Sequence, residues 1–261
     1  MTPADDKVIK NKLYTPGSPR DRELHNTTAD AHQSFQRSNK VAMNIVILGC
    51  GGHAKVIIDI IECARQDQIV GVIDRQRVAG EQFCDYEVLG RDEDLPQLVA
   101  SRSIQGAVIA VGDNSTRAKI ARNLQKLAMP LKFPTAIHPM ATIARSARLG
   151  QGTVAMAGSA VNSDTTIGDF CILNTNCSID HDCQIGDFAS FAPNSCAGGS
   201  VEVGPGSAIG LGANIIHNRQ IGADTIVGAG ALVVKDLPPQ VVAYGIPAHV
   251  IRPRFAGDSY L

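Results

Sequence analysis

The most regular pattern in the chain is an apolar residue at every sixth position between residues 137 and 233. Fifteen of these seventeen positions hold Ile, Leu, Val or Phe, and no insertion interrupts the register. A period of six fits neither an amphipathic helix nor the alternation of a hairpin strand. It is typical of a parallel β-helix, in which each hexad forms one short strand and one corner. The positions are Ile137, Ile143, Leu149, Ala155, Val161, Ile167, Leu173, Ile179, Ile185, Phe191, Ala197, Val203, Ile209, Ile215, Ile221, Val227 and Val233.

Other positions of the hexad support this prediction. Gly often follows the apolar residue, and a small residue often stands two positions before it. Three of the small residues, Cys171, Cys177 and Cys183, are expected to fill the narrow interior near a corner rather than react. Three hexads form one coil of 18 residues, so the ladder predicts five to six coils, roughly 25 Å tall at the usual strand spacing.

Residues 44–133 show a different pattern, in which short apolar runs alternate with helical spacing. Such alternation predicts a small parallel sheet with ligand-binding loops at the carboxyl ends of its strands. The predicted elements are strands at 44–48, 69–73 and 107–111, and helices at 55–64 and from about 117 to 128.

The first predicted turn carries Gly49-x-Gly51-x-x-Ala54, and Asp74 follows twenty residues later. This spacing matches a dinucleotide-binding fingerprint, in which glycines let the backbone approach a pyrophosphate at a helix N-terminus. Three interpretations stay open at this point: an NAD-dependent oxidoreductase, a purely structural turn, and a site for a nucleotide-bearing substrate. The unit of about 90 residues is only half of a full doubly wound domain, which disfavours the oxidoreductase.

Composition narrows the class of protein further. The net charge of −1 gives no reason to expect nucleic acid as a partner. No apolar run is long enough to span a bilayer, and the N-terminal segment 1–40 lacks the apolar core of a signal peptide. A cytoplasmic protein with reduced thiols is therefore expected. The predicted organisation is a disordered extension at 1–42, upstream of a candidate start at Met43, then units at 43–133 and 134–252, and a tail at 253–261.

One corner of the predicted β-helix carries the triplet Asp180-His181-Asp182. An imidazole finds no partner in a core of Ile and Val, so His181 is expected to face outward. The position one coil above it is Gly199, which leaves room for a long thin ligand. The triplet is then either a solvated corner or a catalytic base with a carboxylate neighbour. A zinc site would need several convergent histidines, which the spacing of His181 from the others does not provide, so no metal is expected.

The repeat [LIV]-G-x-x-[STAV]-x, and the ending Tyr244-Gly-Ile-Pro-Ala-His-Val-Ile-Arg252, resemble the hexapeptide acyltransferases. That resemblance, and not the spacing, implies a left-handed β-helix. With the front unit included, residues 44–252 resemble nucleotide-sugar acetyltransferases of the PglD and NeuD type. The expected fold is therefore a small α/β Rossmann-like N-terminal domain followed by a left-handed parallel β-helix.

The resemblance also assigns roles to individual residues. The family motif N-T-x-x-x-I-x-H-[ED] stands here as Asn174 to Asp182, which makes His181 the catalytic base. Asp182 then orients the ring, with Asp180 as a rival. The residues implied to bind the nucleotide sugar are Gly51, Gly52, His53, Asp74, Gly112, Asn114 and Asn174. Arg117, a few residues after Gly112, is expected to be an additional phosphate ligand. Those implied to contact acetyl-CoA are Ser190, where some relatives have a histidine, Gly199, Leu211 and Ala229.

The implied activity is transfer of acetyl from acetyl-CoA to an amino or hydroxyl group of a nucleotide-linked sugar, in bacterial surface glycan biosynthesis. The family also implies a homotrimer with its active sites in the clefts between neighbours. The alternative function is a non-catalytic nucleotide-sugar-binding or scaffold protein, since some β-helices of this kind only assemble complexes.

Overall fold

The computed structural model describes residues 42–127, 129–255 and 258. The predicted extension 1–42 therefore falls outside the described residues apart from Ala42, and so does most of the predicted tail beyond residue 255. Within the described range the predicted α/β part is present. Its elements are β1 (Asn44–Leu48), α1 (Gly52–Ala64), β2 (Gln68–Ile73), β3 (Gln82–Phe83), β4 (Tyr86–Gly90), a 3₁₀ turn (Asp92–Asp94), α2 (Leu95–Ser101), β5 (Gly106–Ile109) and α3 (Asn114–Lys126).

The α/β sheet has the strand order β3-β4-β2-β1-β5 and is parallel except for β3. The sequence did not predict the β3–β4 hairpin or α2. The last helix also begins earlier than predicted, because the Asp113 side chain accepts a hydrogen bond from the Thr116 N–H and caps it. The buried β1 lies between β2 and β5, so the loops after all three strands meet at one edge of the sheet.

The second part is the parallel β-helix that the six-residue repeat predicts, and each of its short strands ends on one of the ladder residues. The strands are β6 (Ala136–Ile137), β7 (Thr142–Ile143), β8 (Arg148–Leu149), β9 (Val154–Ala155), β10 (Ala160–Val161), β11 (Thr166–Ile167), β12 (Ile172–Leu173), β13 (Ser178–Ile179), β14 (Gln184–Ile185), β15 (Ser190–Phe191), β16 (Cys196–Ala197), β17 (Glu202–Val203), β18 (Ala208–Ile209), β19 (Asn214–Ile215), β20 (Gln220–Ile221), β21 (Ile226–Val227) and β22 (Leu232–Val233).

These strands form three parallel sheets, which are the faces of a prism. The first face runs from β6 through every third strand to β21 and is extended by β23 (Val241–Gly245) and β24 (Ala248–Pro253). The second face contains β7 to β22, and the third contains β8 to β20. Each strand pairs in register with the equivalent strand of the next coil, as Leu173 pairs with Phe191. The second residue of each strand points inward, and Cys171, Cys177 and Cys183 fill the core as predicted.

The α/β part packs on the first face of the prism. Outward residues of the early coils, Ala136, Val154 and Ile172, belong to the same hydrophobic cluster as Ile57 and Ile61 of α1. Three phenylalanine rings continue the junction: Phe170 lies edge-on to Phe133 at 5.2 Å and is stacked on Phe188 at 5.3 Å. The two parts are therefore joined by an apolar interface and not only by a linker.

Across the residues with described positions, no helix is both long and apolar enough to cross a membrane.

Candidate functional site

The His181 corner, residues 180–183, joins the second face of the prism to the third. The side chains of His181 and Asp182 are 57% and 59% exposed, so the triplet faces outward as predicted. The Nδ1 atom of His181 lies 2.7 Å from Oδ2 of Asp182. A carboxylate can only accept, so Nδ1 carries the proton and the lone pair of a neutral ring is on Nε2.

The other carboxylate of the triplet serves the backbone. Asp180 Oδ1 accepts from the N–H of His181 at 2.9 Å and from Nδ2 of Asn162 at 2.8 Å. It therefore shapes the corner, whereas Asp182 is the group bonded to the ring. The geometry thus favours Asp182 over its rival as the residue that orients His181.

Gly199 lies against the His181 ring, one coil later, as the repeat predicted. A Cβ atom at position 199 would be 2.6 Å from Cε1 and 2.7 Å from Nε2 of His181, closer than real Cβ contacts come. The main chains of the two coils are also hydrogen-bonded here, because the Ser200 N–H donates to the His181 carbonyl at 2.9 Å. Only glycine leaves room for the imidazole in this position.

Charge at the corner adjusts the basicity of the ring. The hydrogen bond to Asp182, and then the nearby charge of Asp180, raise the pKa of His181 above the ordinary value of 6.5. Histidine is the side chain whose ordinary pKa lets it take up and release a proton under physiological conditions.

A cavity of about 570 Å³, here the α/β cavity, lies at the carboxyl edge of the α/β sheet. Its wall includes Gly51, Gly52, His53, Asp74 and Gly112, which the sequence assigned to the nucleotide. A Cβ built at Gly51 or Gly52 meets nothing within 4 Å, so the N-terminus of α1 faces open space. Exposed N–H groups at a helix N-terminus suit an anion such as a phosphate.

Asp74 braces the turn that borders this cavity. Its two carboxylate oxygens accept from the backbone N–H groups of Cys50 and Gln76, each at 2.8 Å. The carboxylate thus fixes the glycine turn at the edge of the cavity.

A smaller cavity of about 230 Å³, here the junction cavity, lies between the α/β part and the first face. His53 and Gly112 line both cavities. Four other residues assigned from the sequence line the junction cavity from the β-helix side: Asn174, Ser190, Leu211 and Ala229.

His53 stands between the two cavities with an unused polar atom. Its Nε2 is the one buried side-chain nitrogen or oxygen in the described part of the chain that lacks a hydrogen-bond partner. Burial, and then the positive charge of Arg117, lower the pKa of His53 from 6.5 to about 4. The ring is therefore neutral at physiological pH, and its Nε2 is left without a partner in a residue that lines both cavities.

Several residues of the α/β cavity were not predicted from the sequence. Thr116, Lys119 and Asn123 contribute to its wall from α3. Their spacing of three and then four residues puts them on one face of a helix, a signal that was present in the sequence. Lys119 brings a positive charge to a cavity already suited to phosphate.

The structure corrects the assignment of Asn114 and Arg117. Both residues are only 1% exposed, and neither lines the α/β cavity or the junction cavity. The guanidinium donors of Arg117 point to main-chain carbonyls and to Asn114. The sequence pattern could not reveal this, because it does not show which helix face meets the β-helix.

A single chain does not bring all the assigned residues together. The junction cavity lies on the first face and shares His53 and Gly112 with the α/β cavity, whereas the His181 corner lies between the second and third faces. In a three-sided prism that corner is opposite the first face. Gly199 is therefore beside His181 and apart from Ser190, Leu211 and Ala229, which the sequence had grouped with it.

Within the described residues, one group of side chains could hold a metal ion. Asp59, Cys63 and His138 place their ligand atoms within 4.8 Å of one another. None of the three lines either cavity. The absence of a metal from the reaction remains a prediction.

Known proteins share both parts of this architecture. The family model described as the PglD N-terminal domain matches residues 44–124. A UDP-N-acetylbacillosamine N-acetyltransferase of Bacillus subtilis is 36% identical over 115 residues, which are 44% of this chain and 51% of that protein. The chain thus matches about half the length of this curated relative.

Two solved structures extend the match to most of the chain. PerB of Caulobacter crescentus, in complex with CoA and GDP-perosamine, is 38% identical, with a TM-score of 0.75 over 82% of this chain and 100% of that one. The acetyltransferase domain of PglB from Neisseria gonorrhoeae, in complex with acetyl coenzyme A, is 31% identical, with a TM-score of 0.73 over 81% and 100%.

The β-helix with an α/β part on its first face is thus the architecture of the hexapeptide-repeat acetyltransferases. The chain belongs to the PglD-type family of nucleotide-sugar acetyltransferases. The predicted family and fold class are confirmed, and the NAD-dependent oxidoreductase that the fingerprint left open is set aside.

Proposed function

We propose that the protein transfers acetyl from acetyl-CoA to the amino group of a nucleotide-linked sugar, with His181 as general base. The observation that carries the proposal is the outward His181–Asp182 pair seated against Gly199. The complexes of PerB with CoA and GDP-perosamine, and of PglB with acetyl coenzyme A, support both substrates.

The reaction requires one proton to leave the amine. The sugar nitrogen attacks the thioester carbonyl carbon, a C–N bond forms and the C–S bond breaks. CoA leaves as the thiolate, and Nε2 of His181 takes the proton from the nitrogen. Asp182 holds the ring through Nδ1 and stabilises the imidazolium that results.

The α/β part is proposed to hold the nucleotide. The open N-terminus of α1 and Lys119 suit the diphosphate in the α/β cavity, and the adjoining junction cavity suits the sugar. His53, neutral and lacking a partner at Nε2, stands where the two ligand parts would join.

The active site is proposed to be shared within a homotrimer. One chain holds its His181 corner on the opposite side of the prism from its junction cavity, so its own base would not serve the sugar in that cavity. Three prisms around a three-fold axis would bring the His181 corner of one chain to the first face of the next. Light scattering should show three copies, and an active monomer would contradict this arrangement.

An assay of acetyl transfer with different acceptors distinguishes this function from the alternative of a non-catalytic scaffold. Purified protein would be mixed with acetyl-CoA and, in turn, with GDP-, UDP- and dTDP-linked amino sugars, while free thiol is measured. Thiol release that requires one of these sugars, with N-acetylated product in the mass spectrum, supports the proposal. Release of thiol only with hydroxyl acceptors would convert it to O-acetylation. Tight sugar binding with no transfer would favour the scaffold in bacterial glycan assembly.

A further inference from the structure

Arg117 is a charged side chain in the interior of the protein, and its contacts reach both parts of the molecule. It is 1% exposed and lies on α3. Nε donates to the carbonyl of Phe170 at 2.8 Å, and Nη2 to the carbonyl of Phe188 at 3.0 Å. These two acceptors hold equivalent positions in successive coils of the β-helix.

Other donors of the guanidinium hold the loop that follows β5. Nη1 donates to the carbonyls of Val111 and Gly112, at 3.0 and 2.8 Å, and Nη2 donates to Oδ1 of Asn114 at 2.6 Å. The planar guanidinium has five N–H groups in a fixed arrangement. Two of its acceptors belong to the β-helix, two belong to the loop after β5, and one is the side chain of Asn114 at the start of α3.

Asn114 extends this connection to the next coil. Its Nδ2 lies 3.3 Å from the carbonyl of Gly206 and 3.1 Å from that of Ser207. Arg117 and Asn114 together thus span three coils at the corner between the third and first faces. The apolar junction fixes how the two parts pack, and these hydrogen bonds fix the register at which they meet.

The position of Gly112 gives this connection a consequence for the ligand cavities. Gly112 lines both the α/β cavity and the junction cavity, as His53 does. Because Arg117 holds the Gly112 carbonyl and two coil carbonyls at once, the loop cannot move relative to the first face without breaking hydrogen bonds of a buried charge. Such bonds cost more to break than those between neutral groups.

We propose that Arg117 is a positioning residue for acetyl transfer, which sets the place of the sugar relative to the β-helix through the Gly112 loop. The proposal rests on the proposed function for its catalytic consequence. It assigns Arg117 no contact with the substrate, in contrast to a phosphate ligand, because the residue acts through the loop and coil groups that it holds.

Arg117→Lys and Arg117→Met test this role. Lysine keeps the charge but lacks the planar set of five donors, so it cannot hold both coils and the loop. We expect kcat to fall by roughly 10- to 100-fold in both, as a small misplacement of reacting groups does. The KM for the nucleotide sugar should change less than about threefold, because the proposed diphosphate contacts remain. The matched control is Arg122→Met, an exposed arginine on the same helix, and it should keep wild-type kinetics.

A role in folding alone would give a different result. The melting temperature would fall, but the folded enzyme, assayed well below it, would keep its kcat. That outcome in Arg117→Lys overturns the proposal. If neither Arg117 variant folds, Asn114→Ala, which removes one acceptor and the contacts to Gly206 and Ser207, should lower kcat by a smaller factor. Unchanged kcat in folded Asn114→Ala would then overturn it.

Two measurements that need no substrate test the positioning role of Arg117 independently of the proposed acetyl transfer. The pKa of His53, followed by NMR, should rise in Arg117→Met, which loses the nearby charge, and stay low in Arg117→Lys. Amide hydrogen exchange in the 111–113 loop should be faster in both variants. If wild-type protein transfers no acetyl, the proposed function fails. The exchange data then decide: faster exchange supports the positioning of the loop, and unchanged exchange overturns it.

Discussion

The two parts of the molecule place the side chains of their candidate sites by different physical means. In the β-helix, position along the chain sets position in space, because each residue stacks on its equivalent in the next coil. His181 therefore meets Gly199 for a reason that the repeat itself contains. In the α/β part, the cavity wall comes from the turn after β1, the end of β2, the loop after β5 and one face of α3. In a repeat, the residues of a site can be predicted from their spacing in the sequence. Where a site is formed by converging loops, its residues can be identified only once the packing of the elements is known.

The largest expected effect concerns the repeat-based site. His181→Ala should lower kcat by roughly 10²- to 10⁴-fold, the usual contribution of a positioned general base. The melting temperature should not change, because the ring is exposed and its loss leaves no cavity in the core. Ser163→Ala, at the same corner one coil earlier, is the control for kinetics and melting. Wild-type turnover in folded His181→Ala would make the triplet a solvated corner.

Substitutions at inward, covered and exposed positions of the β-helix should differ in their effect on stability. Leu173→Ala removes an inward side chain, and Ile172→Ala removes its outward neighbour under the α/β part. Each should lower the free energy of unfolding by about 2–5 kcal/mol. Gln184→Ala, outward and exposed on the third face, should change it by less than about 0.5 kcal/mol. Denaturant titration measures all three, and a neutral Ile172→Ala would contradict the apolar junction.

His53, a largely desolvated histidine of the α/β part, should make the stability of the fold depend on pH. The pKa of His53 is lowered from 6.5 to about 4, so between these values the unfolded chain binds a proton that the folded chain does not. The free energy of unfolding is unaffected by His53 above pH 6.5. It decreases as the pH falls from 6.5 toward 4, by about 3 kcal/mol in all. Denaturant midpoints across this range, compared with His53→Gln, measure it. Identical pH profiles for the two proteins would show that His53 titrates normally.

A smaller effect is expected where the backbone meets the His181 ring. Gly199→Ala would place a Cβ against His181, and the exposed ring should rotate away rather than the coil distort. We expect kcat to fall roughly tenfold, with the melting temperature nearly unchanged. Steady-state kinetics test this. A variant with full activity would mean that the ring has room that the packing does not show.

The smallest effect concerns the carboxylate beside the ring. The hydrogen bond from His181 to Asp182 raises the pKa of the ring, so a general base would lose activity in acid at a higher pH than an ordinary histidine. Asp182→Asn should move this limb of the kcat/KM profile to lower pH and lower turnover at high pH a few-fold, since the pair is exposed. Asp180→Asn should move it less. A larger shift in Asp180→Asn would reverse the assignment of the orienting carboxylate.

Much of this protein could be predicted from local patterns. The six-residue ladder determined the strands of the β-helix, the inward residues and the stacking of Gly199 on His181, because coils repeat without insertion. The glycine turn, Asp74 and the apolar runs determined the core of the α/β part. The hairpin Gln82–Gly90 was not predicted because its first strand is too short to carry a periodic signal.

The tertiary structure decided what the patterns left open. The ring of His181 is hydrogen-bonded to Asp182 and not to Asp180. Both residues are adjacent to His181 in the sequence, so only the geometry of the turn determines which carboxylate meets the ring. The tertiary structure also moved Arg117 from a phosphate ligand to a buried link between the two parts. An arginine after a ligand-binding loop has the same spacing in either role, and only the packing of α3 against the coils determines which atoms its guanidinium meets.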